Sequence, residues 1–326
     1  MKVFDFDPAE YSDHYAEHGW VHIKKGQSPE FHAALKNFVD QEFGAHKVEG
    51  ATIGGQKQQA LYEFPSETDF PGELFDSVAK VCGLNRESMT LSERHIKAYN
   101  DDVPAEPAPH KDRFASQVSM GLSITIPENS YLVLWPFTDR GRTPFNISTH
   151  MRKELPLEER PENIVKDAER VEIHDADGDV IMFEGSAIWH VRHNASNARN
   201  LYLKLNDFNS DPLGEDPFTA PRREETLKLV QSGNGELVTA KPVLARKFES
   251  VTEQYSRLWD HTRVAEVWDS GPVPLEDVDL KVLQNLNGQS VKGIAEQVSA
   301  EGVSPDQIEA AVRKLAERGV LDLLKS

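Results

Sequence analysis

Residues 178–206, GDVIMFEGSAIWHVRHNASNARNLYLKLN, decide the fold. Gly178-Asp179 turns into the apolar run DVIMF, the next stretch delivers Trp189 and His190, and the run NLYLKLN follows after NASN. The same texture extends upstream through TLSERHIKAY from Thr90, SQVSMGLSITI from Ser116, YLVLWPFT from Tyr131 and RVEIHDA from Arg170. Pro, Gly, Asn and Asp separate these β-type runs, and no long helical pattern stands between them. Such an order predicts an antiparallel barrel or sandwich. Ahead of it, residues 8–18 read as a helix stopped by Gly19, and WVHIKK from Trp20 as a strand. A second helix opens at Ser28-Pro29 and carries Phe31, Leu35, Phe38 and Val39 as an apolar stripe. The class is therefore mainly β, with flanking helices packed outside the sheets.

The 326 residues exceed one average domain and suggest a catalytic domain with a small appendage. We expect a barrel domain over 1–250, a linker over 251–271 and a second module over 272–326. Residues 207–250 are rich in Pro, Gly and charge, with a helix near 222–231. The module reads as three helices, LEDVDLKVLQNL, SVKGIAEQVS and SPDQIEAAVRKLAERG, ending in VLDLL. That order is winged-helix-like. From Leu275 to Ser326, nine acidic residues face six basic ones, a net of −3, which argues against a DNA-reading helix. Ile308, Val312 and Leu315 should pack inside, leaving VLDLL and the first helix as surfaces for protein contact, including self-association into a homo-oligomer.

A net charge of −18 disfavours nucleic acid as a partner, because phosphate backbones are bound by clustered Lys and Arg. Cys82 is the sole cysteine, so no internal disulfide and no zinc site on paired thiolates is expected. A reducing, cytoplasmic location fits. Neither a signal segment nor an 18-residue apolar run is present in the sequence, so no membrane role is expected.

The chemistry-bearing residues begin with His110-Lys111-Asp112 beside a strand, where residues two apart share a face. His190 supplies a further nitrogen donor 78 residues later, although His193 competes for that position. Two imidazoles and a carboxylate on one face of an octahedron suit ferrous iron with a bidentate keto acid and dioxygen, whereas zinc favours a closed tetrahedral site. Nine residues past His190 stands Arg199, whose fork can pair with a dicarboxylate.

On these residues the chain resembles the Fe(II)/2-oxoglutarate-dependent dioxygenases, and within them the phytanoyl-CoA hydroxylase-related group. The resemblance covers roughly residues 8–210: EHGWVHIKKG for the opening segment, HKD for the H-x-D, and GDVIMFEGSAIWH with Asn194, Ser196 and Arg199 for the distal pattern. It implies a double-stranded β-helix, or jelly roll, with Fe(II) bound by His110, Asp112 and His190 as the catalytic metal site. It further implies that Arg199 clamps the distal carboxylate of 2-oxoglutarate, with Lys97 a second candidate for holding the co-substrate. The implied activity is hydroxylation of an unactivated C–H bond of a small molecule, such as an amino acid or biosynthetic intermediate, with dioxygen. An intact Asp112 argues for hydroxylation or desaturation over halogenation. The chain departs from the family in having Val191 and Arg192 after the distal His, which leaves the hydroxyl partner of 2-oxoglutarate unassigned.

Other features read as structural. His14 and His18 lie four apart on a helix without a third ligand, and Trp135 and Trp189 read as barrel core. Gly54-Gly55 reads as a mobile loop or lid. Lys111, Arg113, Arg142 and Arg192 read either as solvated rim or as contacts for an anionic substrate. Two competing functions remain. One is a protein hydroxylase resembling ribosomal oxygenases, which join such a barrel to a winged helix but hold the co-substrate with Lys. The other is a non-catalytic binding or regulatory barrel.

Overall fold

The computed structural model describes residues 1–44, 57–101, 103, 107–143, 156–232, 235–257, 260–268 and 270–325. The Gly54-Gly55 loop lies outside them. The chain divides into two compact units, 1–208 and 209–326.

In the first unit the elements run α1 (Ser12–His18), β1 (Trp20–Ile23), α2 (Pro29–Gly44), β2 (Lys57–Leu61), α3 (Phe70–Cys82), β3 (Thr90–Tyr99), β4 (Val118–Thr125) and β5 (Tyr131–Trp135). They continue as α4 (Pro161–Ile164), β6 (Val171–Ile173), β7 (Val180–Phe183), β8 (Trp189–His193) and β9 (Arg199–Asn206). Gly19 ends α1 in the left-handed region at φ 76°, as a helix stop requires. The expected β runs are all present, while helix α3 went unread in the sequence.

Among the described residues of this unit the strands form two antiparallel sheets, one ordered β1-β7-β4-β9-β3-β2 and the other β6-β5-β8. Period-two alternation gives the larger sheet two different faces. One face carries Leu91, Ile96, Met120, Leu122, Val180, Met182, Leu201, Leu203 and Leu205, packed with Phe31, Leu35, Leu74 and Val78 of α2 and α3. Each such fully buried side chain contributes about 1.5–3 kcal/mol, so this layer anchors the sheet. The opposite face looks toward the smaller sheet, where Ile181 and Phe183 meet Leu132, Leu134 and Ile173. That inner face also carries the polar residues of the site. Asn194 and Asn197, at φ 49° and 63°, make the tight β8–β9 connection, a conformation that Asn tolerates better than most residues.

The second unit contains α5 (Thr219–Gln231), α6 (Glu236–Thr239), β10 (Lys241–Leu244), β11 (Phe248–Arg257), β12 (Asp260–Val267) and β13 (Val273–Pro274). Helices α7 (Asp277–Gln284), α8 (Val291–Val298) and α9 (Pro305–Glu317) follow, then β14 (Leu321–Leu324). The helix expected at 222–231 and the three terminal helices are present. Two expectations need correction. Residues 251–271 are not a bare linker, because β11 and β12 pair across them in a three-stranded sheet with β13; the compact unit starts at residue 209 and not at 272. The VLDLL segment is not a contact surface either, since β14 pairs with β10 and Val320, Leu321 and Leu323 are buried with Ile308, Val312 and Leu315. Helix α9 is fixed by a capping box between Ser304 and Gln307. Among the described residues no helix is long and apolar enough to cross a membrane.

Candidate metal centre and its cavity

His110 sits just before β4 and meets His190 of β8 through an isolated antiparallel bridge, with N–O distances of 3.0 and 2.9 Å in the two directions. Asp112 is fixed by its own N–H, which donates to the Gly185 carbonyl at 2.9 Å. These backbone ties bring the His-x-Asp segment beside the smaller sheet, and the ligating atoms of His110, Asp112 and His190 lie within 4.8 Å of one another. His110 Nε2 is 3.9 Å from Asp112 Oδ1, and His190 Nε2 is 3.6 Å from Asp112 Oδ2. His190 Nδ1 donates to the Ile188 carbonyl at 3.0 Å, which fixes the tautomer and leaves Nε2 as a lone-pair donor. His190 is buried, whereas the His110 side chain is half-exposed and marks the mouth. The donor set therefore fits a divalent ion with open coordination positions. Among the described residues no other group of three His, Cys, Asp or Glu side chains comes together in this way. His193, one residue out of phase with His190 and Arg192, instead stacks on Tyr131 at 5.2 Å.

A cavity of about 90 Å³ opens beside the cluster. Lys97, Tyr99, Arg192, Tyr202 and Lys204 supply its polar wall, and Leu132, Ile181 and Phe183 its apolar wall. Burial alone would raise the Asp112 carboxyl, but Lys204 and the two imidazoles hold it well below the usual carboxylate range. Burial works against the Lys97 ammonium, and Glu93 and Asp112 outweigh it, so its pKa is raised. Lys97 Nζ donates to Glu93 Oε1 at 3.1 Å and lies 5.1 Å from the Tyr202 ring centre. Arg192 forks onto Asp175 with two bonds of 2.9 Å, and its buried Nε has no hydrogen-bond partner among the described residues.

Arg199 is not brought to this cavity. It occupies the β9 face of Leu201, Leu203 and Leu205 and pairs with Asp40 of α2 at 3.4 Å, while Tyr202 and Lys204 of the same strand line the cavity. A strand shows its two faces to different surroundings, so an odd-numbered β9 residue cannot share the wall of the even-numbered ones. Of the four basic residues considered near the site, Arg192 lines the cavity. Arg113 pairs with Glu93 at 2.5 Å, Lys111 bonds the Asp139 and Gly141 carbonyls, and Arg142 stands 6.0 Å from the Phe208 ring centre. His14 and His18 pack against each other with tilted rings, their centres 4.4 Å apart, and Trp135 is core. Sequence reading missed Lys204 and Ser119, both of which bond Asp112 Oδ2. The alternation of NLYLKLN was the available signal, since it sets Lys204 opposite the leucines.

No family model and no curated protein matches the chain. Among solved structures it is similar to the non-haem alpha ketoglutarate dependent carbocyclase SnoK from nogalamycin biosynthesis, with TM-score 0.45 and 17% identity over 64% of this chain and 87% of that one. It is also similar to EvdO2 from Micromonospora carbonacea var. aurantiaca complexed with 2-oxoglutarate, with TM-score 0.43 and 15% identity over 63% and 92%. EctD from S. alaskensis gives TM-score 0.41 and 14% identity over 63% and 81%. At TM-scores this low, the functional reading rests on the residues themselves.

Proposed function

We propose that the chain is a non-haem Fe(II), 2-oxoglutarate-dependent oxygenase built on a double-stranded β-helix. The observation that carries this reading is the convergence of His110, Asp112 and His190 at the edge of a cavity walled by Lys97, Arg192 and Lys204. When bound, ferrous iron and 2-oxoglutarate supply dioxygen activation for hydroxylating an unactivated C–H bond. His110, Asp112 and His190 hold the ion, and the Ile188 carbonyl keeps the His190 lone pair aimed inward. Lys97 and the unpartnered Nε–H of Arg192 hold the distal carboxylate of the keto acid, a role for which Arg199 faces the wrong way. Leu132, Ile181 and Phe183 keep water from the inner wall. The small cavity and the motif likeness to the phytanoyl-CoA hydroxylase-related group favour a small-molecule substrate approaching past the exposed His110. The α8–α9 order of the second unit supports a winged-helix-like module, and its acidic balance favours protein over DNA as its contact.

The test is spectroscopic. Anaerobic Fe(II) with 2-oxoglutarate should give the weak visible charge-transfer band of a chelated keto acid, and His110→Ala, Asp112→Ala and His190→Ala should each abolish it. A His190→Ala protein that kept the band would remove His190 from the centre.

A further inference from the structure

Asp112 does not meet its surroundings evenly. Its Oδ2 accepts a hydrogen bond from Ser119 Oγ at 2.5 Å and another from Lys204 Nζ, and Lys204 also donates to Ser119 Oγ at 2.9 Å. Two donors hold Oδ2, while Oδ1 faces His110 Nε2 at 3.9 Å. The clamp is built in. Lys204 is buried at 4% exposure, stands in register with Ser119 of the neighbouring strand, and has its ammonium 5.5 Å from the Tyr202 ring centre.

The charge count around the clamp is uneven as well. Asp112 and Glu93 carry two negative charges against the three positive ones of Lys97, Arg113 and Lys204. Arg192 and Asp175 cancel separately. Both oxygens of Glu93 are already taken, Oε1 by Lys97 at 3.1 Å and Oε2 by Arg113 at 2.5 Å. The contact that Lys204 makes is therefore with the metal-ligating carboxylate itself. A divalent cation entering this site adds two charges to an existing positive excess in surroundings that screen it poorly, and a dianion entering with it cancels the two charges the cation brings.

We propose that Lys204 is a positioning residue that fixes Asp112 as a one-oxygen ligand and, through its charge, makes tight metal binding depend on the anionic co-substrate. The inference rests on the oxygenase reading above. Part of the coupling comes from the contact of the keto acid with the ion, and Lys204 adds the electrostatic share. By linkage the same factor must appear in both directions: the anion tightens the metal as much as the metal tightens the anion.

The experiment titrates Mn(II) into the full-length, metal-stripped protein, reading free ion by its EPR signal, with and without 2-oxoglutarate. The unmodified protein should bind Mn(II) at least on the order of tenfold more tightly with 2-oxoglutarate present. Lys204→Gln keeps N–H donors for Asp112 but loses the charge, and Lys204→Met loses both. Each should bind Mn(II) alone on the order of tenfold more tightly than the unmodified protein, with a smaller effect of 2-oxoglutarate. Lys204→Arg should retain the original behaviour, a rescue that a merely structural role would not produce. A Gln variant with unchanged Mn(II) affinity and unchanged coupling overturns the proposal while leaving the metal centre intact. If the unmodified protein takes up no Mn(II) under either condition, the oxygenase reading falls and the proposal with it.

Discussion

Replacing Gly185 with alanine probes the wall behind the metal ligands. A Cβ at this position would lie 1.8 Å from Ser119 Oγ, 2.8 Å from Ser119 Cβ and 2.9 Å from Asp112 Oδ2. Gly185 does not adopt a left-handed backbone, so the conflict is steric and not conformational. Relief requires Ser119 to swing away or the β7–β8 turn to retreat. Overpacking of this kind costs about 1–3 kcal/mol. Losing the bond from the Ser119 hydroxyl to a charged carboxylate costs about 1.5–3 kcal/mol. Together these give roughly 2.5–6 kcal/mol, or on the order of 5–24 °C in Tm for a unit of this size. Urea and thermal unfolding read the loss directly. Adding Ser119→Gly removes the two nearest atoms, so the double variant should recover the packing share and still lack the hydroxyl's hydrogen bond. A Gly185→Ala protein as stable as the original would refute the drawn contact, as would a double variant with no recovery.

Two further outcomes are expected. Lys97→Met should weaken 2-oxoglutarate binding by roughly 2–5 kcal/mol, about 30-fold or more, with metal binding alone retained, and Arg199→Ala should leave 2-oxoglutarate binding unchanged; calorimetry on both variants checks the pair, and the reverse pattern would return the clamp to Arg199. Glu93 concerns pH. Burial would raise its pKa, but Lys97, His95, Lys204 and Arg113 hold it well below the ordinary 4.5, so its contribution is complete above that value and is lost as pH falls through the depressed folded value. Glu93→Gln should therefore be destabilised by about 3–5 kcal/mol at neutral pH, with the gap to the original protein narrowing on acidification below 4.5. Urea midpoints across pH check this, and a gap that stays constant into strong acid would show that the carboxylate charge is not what stabilises the cluster.

The sequence by itself determined the features that local periodicity encodes. The β runs from Thr90 to Asn206, the stripe of α2 and the apolar face of α9 follow from spacings of two and of three to four residues, because burial acts on one face of each element. His110, Asp112 and His190 were legible because few residue types ligate metals, and a His-x-Asp with a distant His after an apolar strand is an uncommon conjunction. Only the tertiary structure decided which neighbours share the cavity. Arg199 has the right chemistry nine residues past His190, yet it falls on the helix-covered face of β9 beside Leu201 and Leu203. Lys204, five residues further on, falls on the other face and reaches Asp112 across 92 positions of sequence. The charges of 251–271 likewise hid a strand pair, whose hydrogen bonds join backbone groups regardless of side-chain polarity. The physical reason is common to these cases: a strand's phase and its partners are set by long-range pairing and burial, and a shift of one residue exchanges inside for outside.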